Sequence, residues 1–320
     1  MKLNPSNSSN VNSDRLLILS DGKPGHVNQS IAFARHLGVD YDIGSVRFNR
    51  RWGKACSYLF ARLNVYSPIL FTSEISAGDY SAVVSAGSGT YYATRTLARQ
   101  LRCKAVAIML PRGYPLDFDL IVAQQHDDPS SRNNIITIPI NLTYVEPQGL
   151  VVPQQGKNYL SLIIGGDSQR APMNVSLLKS QLEKIFSLFP DHKVWLTTSR
   201  RTPVEVEEML QTFNYERAVF YSQEPINPIP DFLQHSDYVF LTADSSSMVS
   251  EAVSFGQSCV EILPLSEMST ERGKLNRMLD SLSLMNCLHL FDGGCGHCNT
   301  KISLVDLFAT QIAGKFKSEL

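Results

Sequence analysis

The chain has 320 residues, 43% hydrophobic and 18% charged, with a formal net charge of −1. This is about two domains of chain with enough apolar side chains for real cores, and a charged share below the usual quarter or so argues against a disordered protein. The near-neutral balance excludes wholesale nucleic-acid binding, which needs a basic footprint.

The charge is unevenly spread. Residues 1–150 carry 15 Lys/Arg against 11 Asp/Glu, a net of +4, and residues 151–320 carry 14 against 19, a net of −5. The first half is therefore expected to meet something anionic. Residues 1–14 (MKLNPSNSSNVNSD) are polar and read as a loose tail without the apolar core of a signal peptide. No window reaches the roughly 18 uninterrupted apolar residues that span a bilayer. A cytoplasmic protein whose six cysteines are reduced thiols is the expectation.

Residues 16–19 (LLIL) read as a buried strand, SDGKPGH as a glycine turn, and residues 31–37 as helix. Asp21, Gly22, Lys23, Gly25 and Asn28 of this turn are candidate acceptor-binding residues. His26 is the candidate general base, since imidazole titrates near neutrality; its plain alternative is a helix-start residue without a chemical role. Residues 46–64 mix five basic residues with aromatic and aliphatic ones, which suits an anionic membrane surface or equally a solvated charged face. Strands follow at 80–85, 105–110 and 120–123, with helix at 91–101. The turn AGSGT (86–90) offers Ser88, Gly89 and Thr90 to acceptor hydroxyls, unless its glycines simply allow the turn. At the exit of strand 120–123, Asp127 beside His126 is a second catalytic candidate, and the strand exits carrying Gly or His are expected to converge on one edge.

Pro147, Gly149, Pro153 and Gly156 mark 140–158 as the interdomain linker, after which the pattern restarts. Strand 160–164 runs into GGDS (165–168), helix covers 175–189, and strand 193–196 runs into TTSRRTP. There Ser199, Arg200 and Arg201 suit a diphosphate, with Thr202 as an N-cap and Pro203 in the first helical turn. Strand 238–241 precedes a hydroxyl-rich turn and a helix from Met248 stopped by Gly256, then strand 258–263. In that unit Asp244, Ser245, Ser246, Ser247 and Met248 face the ligand side, Gly166 does so from the earlier turn, and Glu251 can accept two hydrogen bonds from a ribose diol. Helix capping alone would explain the same serines. Pro264, Leu265, Ser266, Arg272 and Lys274 could reach a donor sugar. In the tail, Cys295 and Cys298 read as incidental loop cysteines or, with His289 and His297, as a zinc clip, and residues 303–317 as a closing helix that packs back on the first domain.

Residues 25–38 (GHVNQSIAFARHLG) resemble the first glycine loop and helix of the N-acetylglucosaminyltransferase that makes peptidoglycan lipid II, and VSE at 249–251 resembles its donor helix. The motifs SDGKPGH, SAGSGT, TSRRTP and LTADSSSMVSEA, over about residues 16–282, resemble more closely the mitochondrial-fission "elongated mitochondria" family. Its bacterial members are regarded as candidate glycosyltransferases of lipooligosaccharide outer core. The resemblance implies an α/β fold of two facing Rossmann-like domains (GT-B type) with an interdomain cleft. The domains are then 15–150 on the acceptor side and 151–320 on the donor side.

The combined expectation is an inverting, metal-independent glycosyltransferase of lipopolysaccharide biosynthesis. It has no cofactor beyond a nucleotide-diphospho-sugar substrate, an envelope glycolipid or saccharide acceptor, an anionic membrane surface as partner, and no nucleic acid. It would sit in the cytoplasm or on the inner face of the cytoplasmic membrane. Two rivals stand beside it. A membrane-associated interaction protein could keep the fold without turnover, as in fission. An NAD-dependent nucleotide-sugar epimerase would want GxGxxG after the first strand, which SDGKPGH lacks.

Overall fold

A strand covered on both faces reads as an unbroken apolar run, and LLILS forms such a strand in the computed structural model, which describes residues 15–167, 173–265, 273–297 and 300–317. The expected tail at 1–14, together with Ser168, Ser266, Arg272 and Cys298, lies outside the described residues. The chain divides into two compact units. One comprises Met1–Ala123, Pro129–Thr137 and Phe308–Leu320, and the other Gln124–Asp128 and Ile138–Leu307.

The first sheet and its helices run β1 (Leu16–Ser20), α1 (Pro24–Leu37), β2 (Tyr41–Phe48), α2 (Gly53–Arg62), β3 (Phe71–Glu74), β4 (Ala82–Ala86), α3 (Tyr91–Leu101), β5 (Lys104–Ile108), β6 (Leu120–Gln124) and β7 (Ile135–Ile138). Among the described residues the strand order is β3-β2-β1-β4-β5-β6-β7. β1 pairs in parallel with both β2 and β4, and β3 adds an antiparallel edge. The second sheet runs β8 (Tyr159–Ile164), α4 (Val175–Leu188), β9 (Lys193–Thr198), α5 (Val204–Leu210), β10 (Arg217–Val219), α6 (Ile229–His235), β11 (Tyr238–Thr242), α7 (Ser246–Ser254), β12 (Cys259–Leu263), α8 (Lys274–Leu284) and β13 (His289–Leu290). Its order, β10-β9-β8-β11-β12-β13, repeats the same outward-then-back winding, with every recorded pairing parallel. Both units are thus doubly wound α/β, and together they make a fold of the GT-B type.

The expected strands all form, because each is a continuous apolar run. β2, β3, β7, β10 and β13 are additions. β2 alternates exposed and buried positions along YDIGSVRF and so presents no apolar run. α1 begins seven residues before its apolar periodicity does. Pro24 at its first position supplies a helical φ, which brings His26 into the first turn. The closing helix is not uniform: Leu304–Leu307 passes through a π turn at Phe308–Ile312 before Ala313–Lys317. From Phe308 onward it belongs to the first unit, where Phe308 and Phe316 lie 5.7 and 5.8 Å from the Phe33 ring.

Residues 139–158 carry no regular strand or helix, yet they are held firmly. The buried Asp231 carboxylate of α6 accepts the N–H groups of Gln148, Gly149, Leu150 and Val151 at 2.8, 3.0, 2.7 and 3.3 Å. Four backbone donors thus converge on one buried side chain. Asp231→Ala should therefore cost about 3 kcal/mol in urea unfolding of the full chain, with Asp231→Asn recovering part of it. A loss below about 1 kcal/mol would mean that water replaces the carboxylate.

Candidate functional site

In open α/β sheets ligands bind beyond the carboxyl ends of the strands, where the winding reverses. In the first unit that point lies between β1 and β4, and in the second between β8 and β11.

At the first, His26 Nδ1 lies 3.2 and 3.1 Å from the two Asp21 oxygens. Asp21 is mostly buried and also accepts from the Lys23 backbone N–H at 3.2 Å, with Lys23 Nζ 3.6 Å away. When Nδ1–H donates to Asp21, the Nε2 lone pair is left free for a substrate proton, the arrangement a general base needs. The β4 turn closes against this pair. Gly87 has φ +87°, and a Cβ there would stand 2.3 Å from His26 Cε1, so only glycine lets the two turns meet. Ser88 accepts from Lys54 Nζ at 2.9 Å and its carbonyl accepts from the Tyr114 hydroxyl at 3.3 Å. Thr90 is fully buried and donates to the carbonyls of Ala86 and Gly87, so its hydroxyl serves the turn. Gly89 lies beside Asp21, Gly22 makes the turn before α1 with φ +80°, Gly25 is in the first turn of α1, and Asn28 is exposed.

The carboxylate beside His26 is thus Asp21, grouped at first with the acceptor residues. Asp127 is buried and ion-paired with Lys274. His126 offers its carbonyl to Arg277 Nη2 at 3.0 Å.

At the second switch point the organising group is Asp244, whose side chain is fully buried. It accepts from Gly166 N–H at 3.2 Å, from the Thr242 hydroxyl at 2.6 Å and from Arg201 Nη2 at 3.0 Å. Burial pushes its carboxyl above the ordinary range in spite of those three donors. A Cβ on Gly165 would stand 2.0 Å from the Asp244 oxygen. Arg201 also donates to the Asp167 carbonyl at 3.2 Å, while Arg200 is exposed with no ion pair among the described residues. The two arginines expected to act alike are therefore unequal, one bound to Asp244 and one uncommitted. Thr202 is not the N-cap of α5, a place taken by Pro203. Its hydroxyl is held by the Gly165 carbonyl and by Ser199 N–H at 2.8 Å, tying the exits of β8 and β9. Ser199 Oγ accepts from Arg201 N–H at 3.1 Å.

α7 begins at this turn. Ser245 is its N-cap and accepts from Met248 N–H at 3.4 Å. Ser246 Oγ accepts from Asn141 Nδ2 at 3.0 Å, a partner 105 positions away that no local pattern reveals. Ser247 keeps its hydroxyl without a partner among the described residues. One turn further on, the Glu251 carboxyl has no hydrogen bond or ion pair among the described residues, and burial pushes it up to about 7. A helix N-terminus with a free hydroxyl, an uncommitted arginine and an unpartnered carboxyl can together hold an anionic ligand bearing hydroxyl groups.

In the tail, His289 Nδ1 bonds the fully buried Glu261 at 2.7 Å and Gly296 N–H bonds its other oxygen at 2.7 Å. Burial holds the Cys295 thiol at about 12, far from a thiolate. No group of three or more His, Cys, Asp or Glu among the described residues is placed to hold a metal ion.

An uncharacterised protein of Rickettsia prowazekii (strain Madrid E) is 24% identical, over 75% of this chain and 80% of its own. A candidate UDP-N-acetylglucosamine 2-epimerase structure from Listeria monocytogenes superposes with TM-score 0.51 at 11% identity, covering 96% of this chain and 97% of that one. MurG of Acinetobacter baumannii matches with TM-score 0.47 at 12% identity, covering 95% and 92%. The mitochondrial fission ELM1 family profile matches residues 24–315, nearly the whole length. On that match, the chain belongs to the mitochondrial fission ELM1 family.

Proposed function

We propose that the protein is an inverting glycosyltransferase that moves a sugar from a nucleotide-diphospho-sugar to a cell-envelope glycolipid or saccharide, working at the inner face of the cytoplasmic membrane. The observation that carries the reading is the Glu251 carboxyl, half-buried and without a partner among the described residues, one turn into the helix that starts at the β11 exit. An acceptor-only group in that position is suited to the two hydroxyls of a ribose. The diphosphate would lie at the α7 N-terminus, met by its N–H groups, Ser247, Arg200 and the outer face of Arg201. These donors would stabilise the charge that develops on the leaving group as the sugar departs, without an obligatory metal. In the first unit, His26 Nε2 would take the proton of the acceptor hydroxyl while Asp21 holds the ring and stabilises the imidazolium. Ser88 and Asn28 would orient the acceptor. The Listeria structure is itself named for a UDP-sugar, which is in keeping with the proposed donor class.

The rival reading, a protein that keeps the fold without turnover and acts by association, would not need a donor pocket. Thermal-shift titration with UDP, GDP and CMP derivatives separates the two. One nucleotide should raise Tm, and Glu251→Ala should abolish the rise; a rise that survives this substitution removes Glu251 from the site. His26→Ala and Asp21→Asn should leave the rise intact and lower transfer to an accepting glycan by about 10²-fold or more.

The raised Glu251 carboxyl adds a pH signature. Its ionised form accepts from the diol, so binding favours proton release and tightens as pH rises through about 7. Affinity for the ribonucleotide should fall about tenfold between pH 8 and pH 6, whereas the 2′-deoxy analogue, whose phosphates titrate alike, should change much less. Parallel pH profiles for the two ligands would disprove contact between Glu251 and the diol.

A further inference from the structure

Helix α2 carries large apolar side chains on both faces, with Tyr58 and Phe60 packing against the core of the first unit. Its buried positions are the small residues Gly53, Ser57 and Ala61, while Trp52, Leu59 and Leu63 are 57, 56 and 63% exposed. With Ala55 between them, these residues recur every three or four positions, which places them in one stripe along the outer face. The neighbouring 3-10 turn Pro68–Leu70 adds another exposed apolar side chain, Ile69, 75% exposed. That turn is fixed near the head of α2, since Asn49 donates from its backbone N–H to Leu70 O and from Nδ2 to Ile69 O, both at 3.0 Å. Between residues 46 and 70 the chain carries Arg47, Arg50, Arg51, Lys54 and Arg62 and no acidic residue. Arg50, Arg51 and Arg62 have no carboxylate partner among the described residues. An apolar stripe held rigidly in water and rimmed by unpaired cations complements a surface that is oily inside and anionic outside.

We propose that the outer face of α2 and the Ile69 turn form a docking surface for an anionic lipid bilayer. Trp52, Leu59, Leu63 and Ile69 enter the boundary between headgroups and acyl chains, and Arg50, Arg51 and Arg62 meet lipid phosphates. The inner side of the same helix touches the candidate acceptor turn: Lys54 donates to Ser88, and the Tyr58 ring packs 4.4 Å from that of Tyr114, which donates to the Ser88 carbonyl. One helix thus separates the bilayer face from the turn beside His26. This deepens the function proposed above by making the membrane the source of the acceptor, while the docking itself rests on α2 alone.

The chain contains its own reporter. Of its two tryptophans, Trp195 is buried between Tyr159 and Phe232 and should be silent, leaving Trp52 to respond. The full chain is mixed at low salt with phosphatidylcholine vesicles and with vesicles containing about one-third phosphatidylglycerol. The anionic vesicles should shift the emission to the blue, brominated acyl chains should quench it, and Trp52→Phe should remove both responses while pelleting persists. Leu59→Ser with Ile69→Ser should abolish co-sedimentation, and Arg50→Glu with Arg51→Glu should weaken it severalfold; all four positions are exposed, so Tm should not change. Absence of pelleting with anionic vesicles, or pelleting with unshifted Trp52 emission, overturns the proposal. So does a lipid-independent dimer in light scattering that Leu59→Ser dissolves, which would assign the stripe to a second copy of the chain. No donor nucleotide enters these measurements, so failure of the transferase reading would leave their outcome unchanged.

Discussion

The second unit depends on one carboxylate that never meets water. Asp244 stands two residues past β11, yet its oxygens receive the Gly166 N–H after β8, the guanidinium of Arg201 after β9 and the hydroxyl of Thr242 at the end of β11. Burying a charge is unfavourable unless donors surround it, and here the donors come from three strand ends, so satisfying Asp244 sets the spacing of all three. Removing Asp244 alone would leave Gly166 N–H and Arg201 to find other partners at the place where a ligand is expected. The same geometry narrows the chemistry. An Asp244 oxygen already occupied by Arg201 is poorly disposed toward sugar hydroxyls, and the positive face offered outward falls to Arg200, the exposed half of Arg201 and the α7 N-terminus.

Both units solve one problem in one way. Each winds its strands outward from the first and then back, so each has a point where neighbouring strands send their connections apart. Small residues occupy those exits because two turns must approach within van der Waals distance: Gly87 against His26 in one unit, Gly165 against Asp244 in the other. Side chains with chemistry are thereby held on rigid strand ends rather than on mobile loops.

Much of this was legible before any coordinates. Strands such as 160–164 and 238–241 announce themselves because sheets covered on both faces need unbroken apolar runs. Strands such as β2, second from the edge with exposed and buried positions alternating, lose that signal. At the sites, residue types were readable but roles were not. His26 stood alone as a candidate base and Asp21 was grouped with the acceptor residues, until the turn at Gly22 folded Asp21 back onto the ring. Hydroxyl partners were the hardest to foresee. Thr90 and Thr202 sit where ligand contacts were expected, but backbone carbonyls take them. Asn141 offered no clue at all, since its serine partners are more than 100 positions away. α2 shows the reverse case: its mixed composition was visible, but only packing reveals that Trp52, Leu59 and Leu63 face out while Tyr58 and Phe60 face in.

The division of the chain has a consequence for its birth on the ribosome. The first unit is interrupted: residues Ile138–Leu307 belong to the second, and the rings of Phe308 and Phe316 that cover Phe33 arrive only afterwards. The earliest-made sheet is therefore the last to have its helices covered, and through most of synthesis the Phe33 side of α1 waits bare while the later unit folds. A nascent chain in that condition is a natural client for chaperones, and loss of Phe308 and Phe316 would injure the beginning of the protein more than its middle.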